Sequence, residues 1–182
     1  MILFLIKLVL GIVILGVLVV AIYIAKQGDA KIELKTTERT KVGKTAEKED
    51  RIDFSLDIPY VNNGTQEGTI LDAYLRIYLP EEQYDGILLR SKVNLKDVLR
   101  GDDYFEAVLV PAGTGKTMVL RFEAYARNGK NIKEALSAMP DVDVALFADC
   151  RGRGKLYTVK EIFTISATEM RNLLEDKESA VQ

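Results

Sequence analysis

The stretch Arg51-Ile52-Asp53-Phe54-Ser55-Leu56-Asp57-Ile58-Pro59-Tyr60 decides the fold. Its apolar residues Ile52, Phe54, Leu56, Ile58 and Tyr60 alternate with Asp53, Ser55 and Asp57. Successive side chains of a strand point to opposite faces, so this period of two predicts a strand with one face in a core and one in water. Asn62-Asn63-Gly64 ends it with turn chemistry. The pattern then repeats toward the C-terminus. Leu71, Ala73, Leu75, Ile77 and Leu79 line one face of a second strand, Asp72, Tyr74, Arg76 and Tyr78 the other, and Pro80 stops it. Further strands are expected at 87–95 (Ile87, Leu89, Val93, Leu95), 104–110 (Phe105, Ala107, Leu109) and 117–126 (Met118, Leu120, Phe122, Ala124), with Gly101-Asp102-Asp103 as an intervening turn. Ile132, Leu136 and Met139 predict a short helix over 132–139, closed by Pro140. Val142, Val144, Leu146 and Ala148 mark another strand. Tyr157, Val159, Phe163 and Ile165 mark the last, with the alternation loosened near Glu161 as by a bulge. Thr168 is the expected cap of a helix over 168–176, before an acidic tail.

About seven short strands with short connections predict a mainly β chain: an antiparallel, immunoglobulin-like β-sandwich over 51–165, with a short helix and tail over 166–182. A closed barrel is the alternative, because strand count does not separate the two.

Upstream the character changes. From Ile2 to Ala25 the only charged residue is Lys7, and Leu8 to Ala25 holds no charge, proline or amide. A helix rises about 1.5 Å per residue and the hydrocarbon core is roughly 30 Å thick, so residues 1–26 read as a transmembrane anchor that meets the bilayer through 2–25. Lys7 snorkels to one interface, and Tyr23 and Lys26 mark the other. A cleaved signal peptide wants a shorter apolar run than this, so an uncleaved signal-anchor is the expectation. Gly11 and Gly16 lie five apart, not at the four-residue spacing that lets two helices pack closely. Orientation divides two arguments. The cations between Lys26 and Lys44 favour a cytoplasmic domain by the positive-inside rule, whereas a short tail before a hydrophobic run translocates the chain downstream of that run, and the extracytoplasmic side is the one expected. Residues 27–50 are rich in Lys, Glu, Thr and Gly and read as a charged stalk, although Ile32 and Leu34 within Lys31–Lys35 alternate well enough to dock as an extra edge strand.

Composition removes several function classes. Lys and Arg number 25 against 27 Asp and Glu, so no nucleic-acid partner is indicated. The single cysteine, Cys150, forbids an internal disulfide. Histidine is absent, which removes Cys/His zinc sets and the usual base of Ser/His and Cys/His catalysis. No cofactor and no metal are expected. Asp97, Asp102, Asp103 and Glu106 follow no ordered calcium-loop spacing. Gly113-Thr114-Gly115-Lys116-Thr117 has the ending of a phosphate-binding loop but carries Val110 where the motif needs its first glycine, and a strand where it needs a helix.

The passage from Arg51 to Gly64, with Gly68-Thr69-Ile70-Leu71-Asp72-Ala73-Tyr74-Leu75 after it, resembles the strand, Asn-Gly loop, strand opening of immunoglobulin-like and LEA14-like sandwich modules. It also resembles uncharacterised membrane-anchored bacterial proteins of similar length. The resemblance implies a sandwich over about 51–165 and transfers no functional residue; the tryptophan and cysteine pair of true immunoglobulin domains are missing.

Two surfaces remain as candidates. Arg151, Arg153 and Lys155, interleaved with glycines, form a basic loop suited to an anion. Tyr74, Arg76, Tyr78, Arg121 and Tyr125 would share an outer face if strands 69–79 and 117–126 were neighbours, and Tyr with Arg is a composition contact surfaces favour. The expected function is a membrane-tethered, non-catalytic binding or structural module of the cell envelope, with an unidentified protein or envelope partner. The rivals are a hydrolase or transferase using Ser/Lys or carboxylate chemistry, and a carrier with an apolar cleft.

Overall fold

Period two along the chain becomes two antiparallel sheets in a computed structural model that describes residues 1–98 and 104–175. The N-terminal helix α1 (Ile2–Lys26) has 25 residues, none of them buried. It is long and apolar enough to cross a membrane. Nine strands come after it among the described residues: β1 (Ile32–Leu34), β2 (Gly43–Glu47), β3 (Arg51–Asn62), β4 (Gly68–Tyr78), β5 (Ile87–Leu95), β6 (Val108–Val110), β7 (Gly115–Ala126), β8 (Val142–Arg151) and β9 (Leu156–Ile165). A 3-10 turn (Thr36–Glu38) and short helices α2 (Ile132–Ser137) and α3 (Ala167–Asn172) complete the order. Sheet A runs β1-β3-β7-β5, with β2 on the same edge of β3 as β1, and sheet B runs β6-β4-β8-β9.

The alternating residues of β3 meet those of β7 in register, Phe54 opposite Phe122 and Leu56 opposite Leu120. The two phenyl rings stack with centroids 5.0 Å apart. Facing them from sheet B are Ile70, Val144, Leu146 and Ala148, all fully buried. Burying one such side chain contributes about 1.5–3 kcal/mol, so this layer carries the fold. Truncating Phe122 to Ala would cost about 3–5 kcal/mol by removing the ring that stacks on Phe54.

Several expectations are corrected. Leu71 is 40 % exposed and Ile70 fully buried, because a bulge inserts Leu71 between the pairs Ile70–Cys150 and Asp72–Asp149 and reverses the face of everything before it. Near Glu161 the β8–β9 register is unbroken from Val142–Ile165 to Arg151–Leu156, so there is no bulge there. Glu161 shares its face with Phe163 and Ile165 and stays exposed because β9 is an edge strand. The strand expected at 104–110 is only Val108–Val110, with Val110 inside and Leu109 60 % exposed. Ser166, not Thr168, caps α3, in a capping box with Glu169. The stretch 27–50 is no loose stalk: it supplies β1, the 3-10 turn and β2, and buries Ile32, Leu34 and Val42 in the core. The expected turn Gly101-Asp102-Asp103 and the tail from 176 lie outside the described residues.

Candidate functional site at the helix-proximal end

Where α1 stops, the chain is bound at once to the end of the sandwich. Gly28, at φ +67°, adopts the left-handed conformation that commonly succeeds a helix and redirects the chain. Asp29 then presents its carboxylate to the β8–β9 loop: Oδ1 accepts from the Arg153 N–H at 2.7 Å and Oδ2 from the Gly154 N–H at 3.1 Å, while the Ala30 N–H also donates to Oδ1 at 2.8 Å. These backbone donors hold the Asp29 carboxyl below the usual carboxylate range. Any Cβ on Gly152 would collide with Asp29 Oδ1, so glycine is required for the approach.

The β3–β4 loop closes from the other side. Thr65 Oγ1 donates to the Gln27 carbonyl at 2.5 Å, and the Thr65 N–H donates to the Asp29 carbonyl at 3.1 Å. Asn62, fully buried at the end of β3, uses its whole amide. Its oxygen accepts from the Lys31 and Gly64 N–H groups at 3.0 and 2.9 Å, and its nitrogen donates to the Gln66 and Val110 carbonyls at 2.8 and 2.9 Å. Both lone-pair positions and both protons are occupied, which is all an amide side chain can do.

Further along, the chain passes beside β9 as a strap. The Ile32 N–H donates to the Tyr157 hydroxyl at 3.3 Å, and that hydroxyl donates to the Ala30 carbonyl at 3.4 Å. Arg39 then forks onto Glu169 of α3 with two bonds of 2.9 Å, donates to the Thr164 carbonyl at 3.0 Å, and lies over the Phe163 ring. The guanidinium is the main cause that holds the Glu169 carboxyl below its ordinary value.

The backbone amides of the basic loop are thus bonded to the protein's own Asp29 carboxylate. Arg153 also donates to Gln27 Oε1 at 2.7 Å, whereas the Arg151 and Lys155 side chains stand exposed. The five-residue Tyr/Arg surface is not assembled. Strands β4 and β7 belong to different sheets, so Tyr74, Arg76 and Tyr78 lie on the outer face of sheet B, and Arg121 and Tyr125 on the outer face of sheet A. On sheet B, Tyr74 stacks on Phe147 at 5.0 Å with Lys160 over the Phe147 ring, and Tyr78 and Ile162 are exposed. On sheet A, Tyr125 is enclosed by its own neighbours: Arg51 donates to its hydroxyl at 2.8 Å, that hydroxyl donates to Glu123 at 2.9 Å, and Arg51 also pairs with Asp53 and Glu123. Arg121 lies between Ser55 and Lys92.

Thr114 ends the connection between β6 and β7 across the two sheets, and Gly115 begins β7, a strand where a phosphate-binding loop is followed by a helix. Asp97 pairs with Lys116 at 3.6 Å, while Asp102 and Asp103 lie outside the described residues. Sequence reasoning missed Asp29, Asn62 and Thr65. Asn62 reads only as turn chemistry, and Asp29 falls without mention in the stretch read as a charged stalk, its partner 124 residues away.

No family model matches the chain, and no curated protein matches it in sequence. Among solved structures, it is similar to a Bordetella pertussis protein designated ApaA, at 10 % identity and a TM-score of 0.39, covering 75 % of this chain and 94 % of that one. It is similar also to the GAE domains of two Saccharomyces cerevisiae proteins. That of GGA2p gives 8 % identity, a TM-score of 0.36, and coverage of 76 % of this chain and 98 % of that one. That of yeast GGA1 gives 12 %, 0.36, 74 % and 90 %.

Proposed function

We propose that this protein is a membrane-anchored, non-catalytic β-sandwich module of the cell envelope that holds its domain hard against the bilayer on the extracytoplasmic side. The observation that carries the reading is α1: apolar on every side, with no residue buried, and joined to the sandwich within three residues by the Asp29 lock. Among the described residues nothing covers this helix, and a bilayer would. The space between the sheets is filled by Phe54, Phe122, Leu120, Leu146 and their neighbours, which favours a binding module over a carrier. The surface offered to a protein partner is the outer face of sheet B around Tyr74, Arg76, Tyr78, Phe147 and Ile162, where aromatic and aliphatic side chains stand exposed beside cations.

Alkaline carbonate extraction tests the anchor. The full chain should stay in the membrane pellet, and Ile14→Arg with Val17→Arg should release it, since each charge at the centre of a span costs about 2.5–3.5 kcal/mol. Recovery of the unaltered chain in the supernatant would refute the reading. Orientation needs an introduced thiol. Cys150 is fully buried and its thiol is pushed up to about 12 by desolvation, so it does not report on accessibility. A cysteine at exposed Gln83 should react with a membrane-impermeant reagent in intact cells; protection that disappears on lysis would put the sandwich in the cytoplasm.

A further inference from the structure

We infer that the helix-proximal rim carrying Arg151, Arg153 and Lys155 is a docking surface for anionic lipid headgroups of the bilayer that α1 enters. This rests on the anchored reading above and adds which lipid chemistry the domain recognises. The placement is fixed by a contact: Arg153 Nη1 lies 2.7 Å from Oε1 of Gln27, the residue just past the last turn of α1, so the loop sits level with the point where the apolar helix ends. Headgroup charge acts over a Debye length of about 10 Å at 0.1 M salt, and the loop lies within that reach.

The loop's chemistry is divided between backbone and side chains. Its amides are committed to Asp29, so no free anion is needed to satisfy them. Its cations are the unused part, because Arg151 and Lys155 are exposed and form no ion pair among the described residues. Leu156, next in sequence, is 58 % exposed, an apolar side chain beside cations as an interfacial loop presents. The opposite end of the sandwich carries Glu47, Glu49, Asp50, Glu81, Glu82 and Asp85, all exposed. An anionic surface therefore attracts the helix-proximal rim, whereas the far end mixes these acids with Lys48, Arg127, Lys130 and Lys133, and the contacts of Gln27 and Asp29 hold the rim beside the end of α1.

The test uses the full chain in lipid nanodiscs containing photoreactive phosphatidylglycerol or photoreactive phosphatidylcholine at equal mole fraction, with adducts on the peptide spanning 151–156 located by mass spectrometry. The expected phosphatidylglycerol preference falls about fivefold for each cation removed, so it should be lost in Arg151→Gln/Lys155→Gln, which leaves the Arg153–Gln27 contact in place. It should persist in Lys48→Gln/Lys133→Gln, which removes the same charge from the far end. Equal yields from the two lipids in the unaltered chain overturn the inference. So does an equal loss in both double variants, which would reduce the effect to net charge. If the chain fails to enter nanodiscs, the anchored reading itself falls and this inference with it, whereas entry without lipid preference removes only the inference.

Discussion

The two long sides of the sandwich are finished differently. On one side the segment after α1 is laid as a strap from the β3 edge across to β9 and α3, fastened by Asn62, Tyr157 and the Arg39–Glu169 fork. On the other side β5 and the C-terminal half of β4 end their sheets, and a groove of about 380 Å³ lies between them, lined by Tyr74, Leu75, Arg90, Ser91 and Lys92. One wall is closed by a segment whose polar residues would suggest a tether; on the other, β5 and half of β4 stand as the edge strands of their sheets among the described residues. What distinguishes them is hydrogen-bond satisfaction. The strap has few apolar residues, and besides burying Ile32, Leu34 and Val42 its backbone groups find partners on other segments, which helps to hold a polar chain in place.

The largest break in this contrast should come from Asn62→Ala. It leaves the buried Val110 carbonyl and the partly buried Lys31 and Gly64 N–H groups and Gln66 carbonyl without their partner, so a loss of about 1–3 kcal/mol is expected in chemical denaturation, with the strap amides exchanging fastest. A loss under about 0.5 kcal/mol would mean that the strap is not held by this residue. Glu169→Ala removes both the fork to Arg39 and the capping-box partner of Ser166, and should cost about 1–2 kcal/mol while leaving exchange at Lys31 unchanged.

The third test uses pH. The Asp29 carboxyl is depressed below its unfolded value of 3.8, so the stabilisation it gives is present above that value and is lost as the pH falls through the lowered one. Exchange-corrected protection of the Arg153 and Gly154 amides should therefore be flat at neutral pH and collapse only in strong acid, and Asp29→Asn should remove the pH dependence. The smallest effect belongs to the open side. Ser91→Ala should change stability by no more than about 0.5 kcal/mol, measured by the same denaturation. A larger loss would show that the groove is part of the core.

Much of this fold is legible in the sequence. The alternation in Arg51–Tyr60 and in Met118–Ala124 marks strands that the structure contains, and the apolar run from Ile2 marks α1, because both patterns are local. Pairing is not local. Period two tells which side chains share a face and leaves open which strand lies alongside, so it cannot show that Arg121 and Tyr125 stand on a different sheet from Tyr74. A bulge of one residue at Leu71 is likewise invisible, since Ile70 and Leu71 are both good core residues. The basic residues of the 151–155 loop are legible, but the pairing of its amides with Asp29 is not, because Asp29 is close to Arg153 only after the whole sandwich has formed.

The Asp29 lock bears on how far the module can search. A free stalk of residues 27–50 would behave as a coil with an end-to-end distance of roughly 25–30 Å, a leash on which the domain samples space above the surface. With Asp29 fastened only three residues after Lys26, at most about 10 Å of chain separates the helix from the domain. In the anchored state such a module has no throw. Its capture radius is set by its own width, so a partner must either reside in the same membrane or come down to it, and encounters between them become a matter of lateral diffusion in two dimensions.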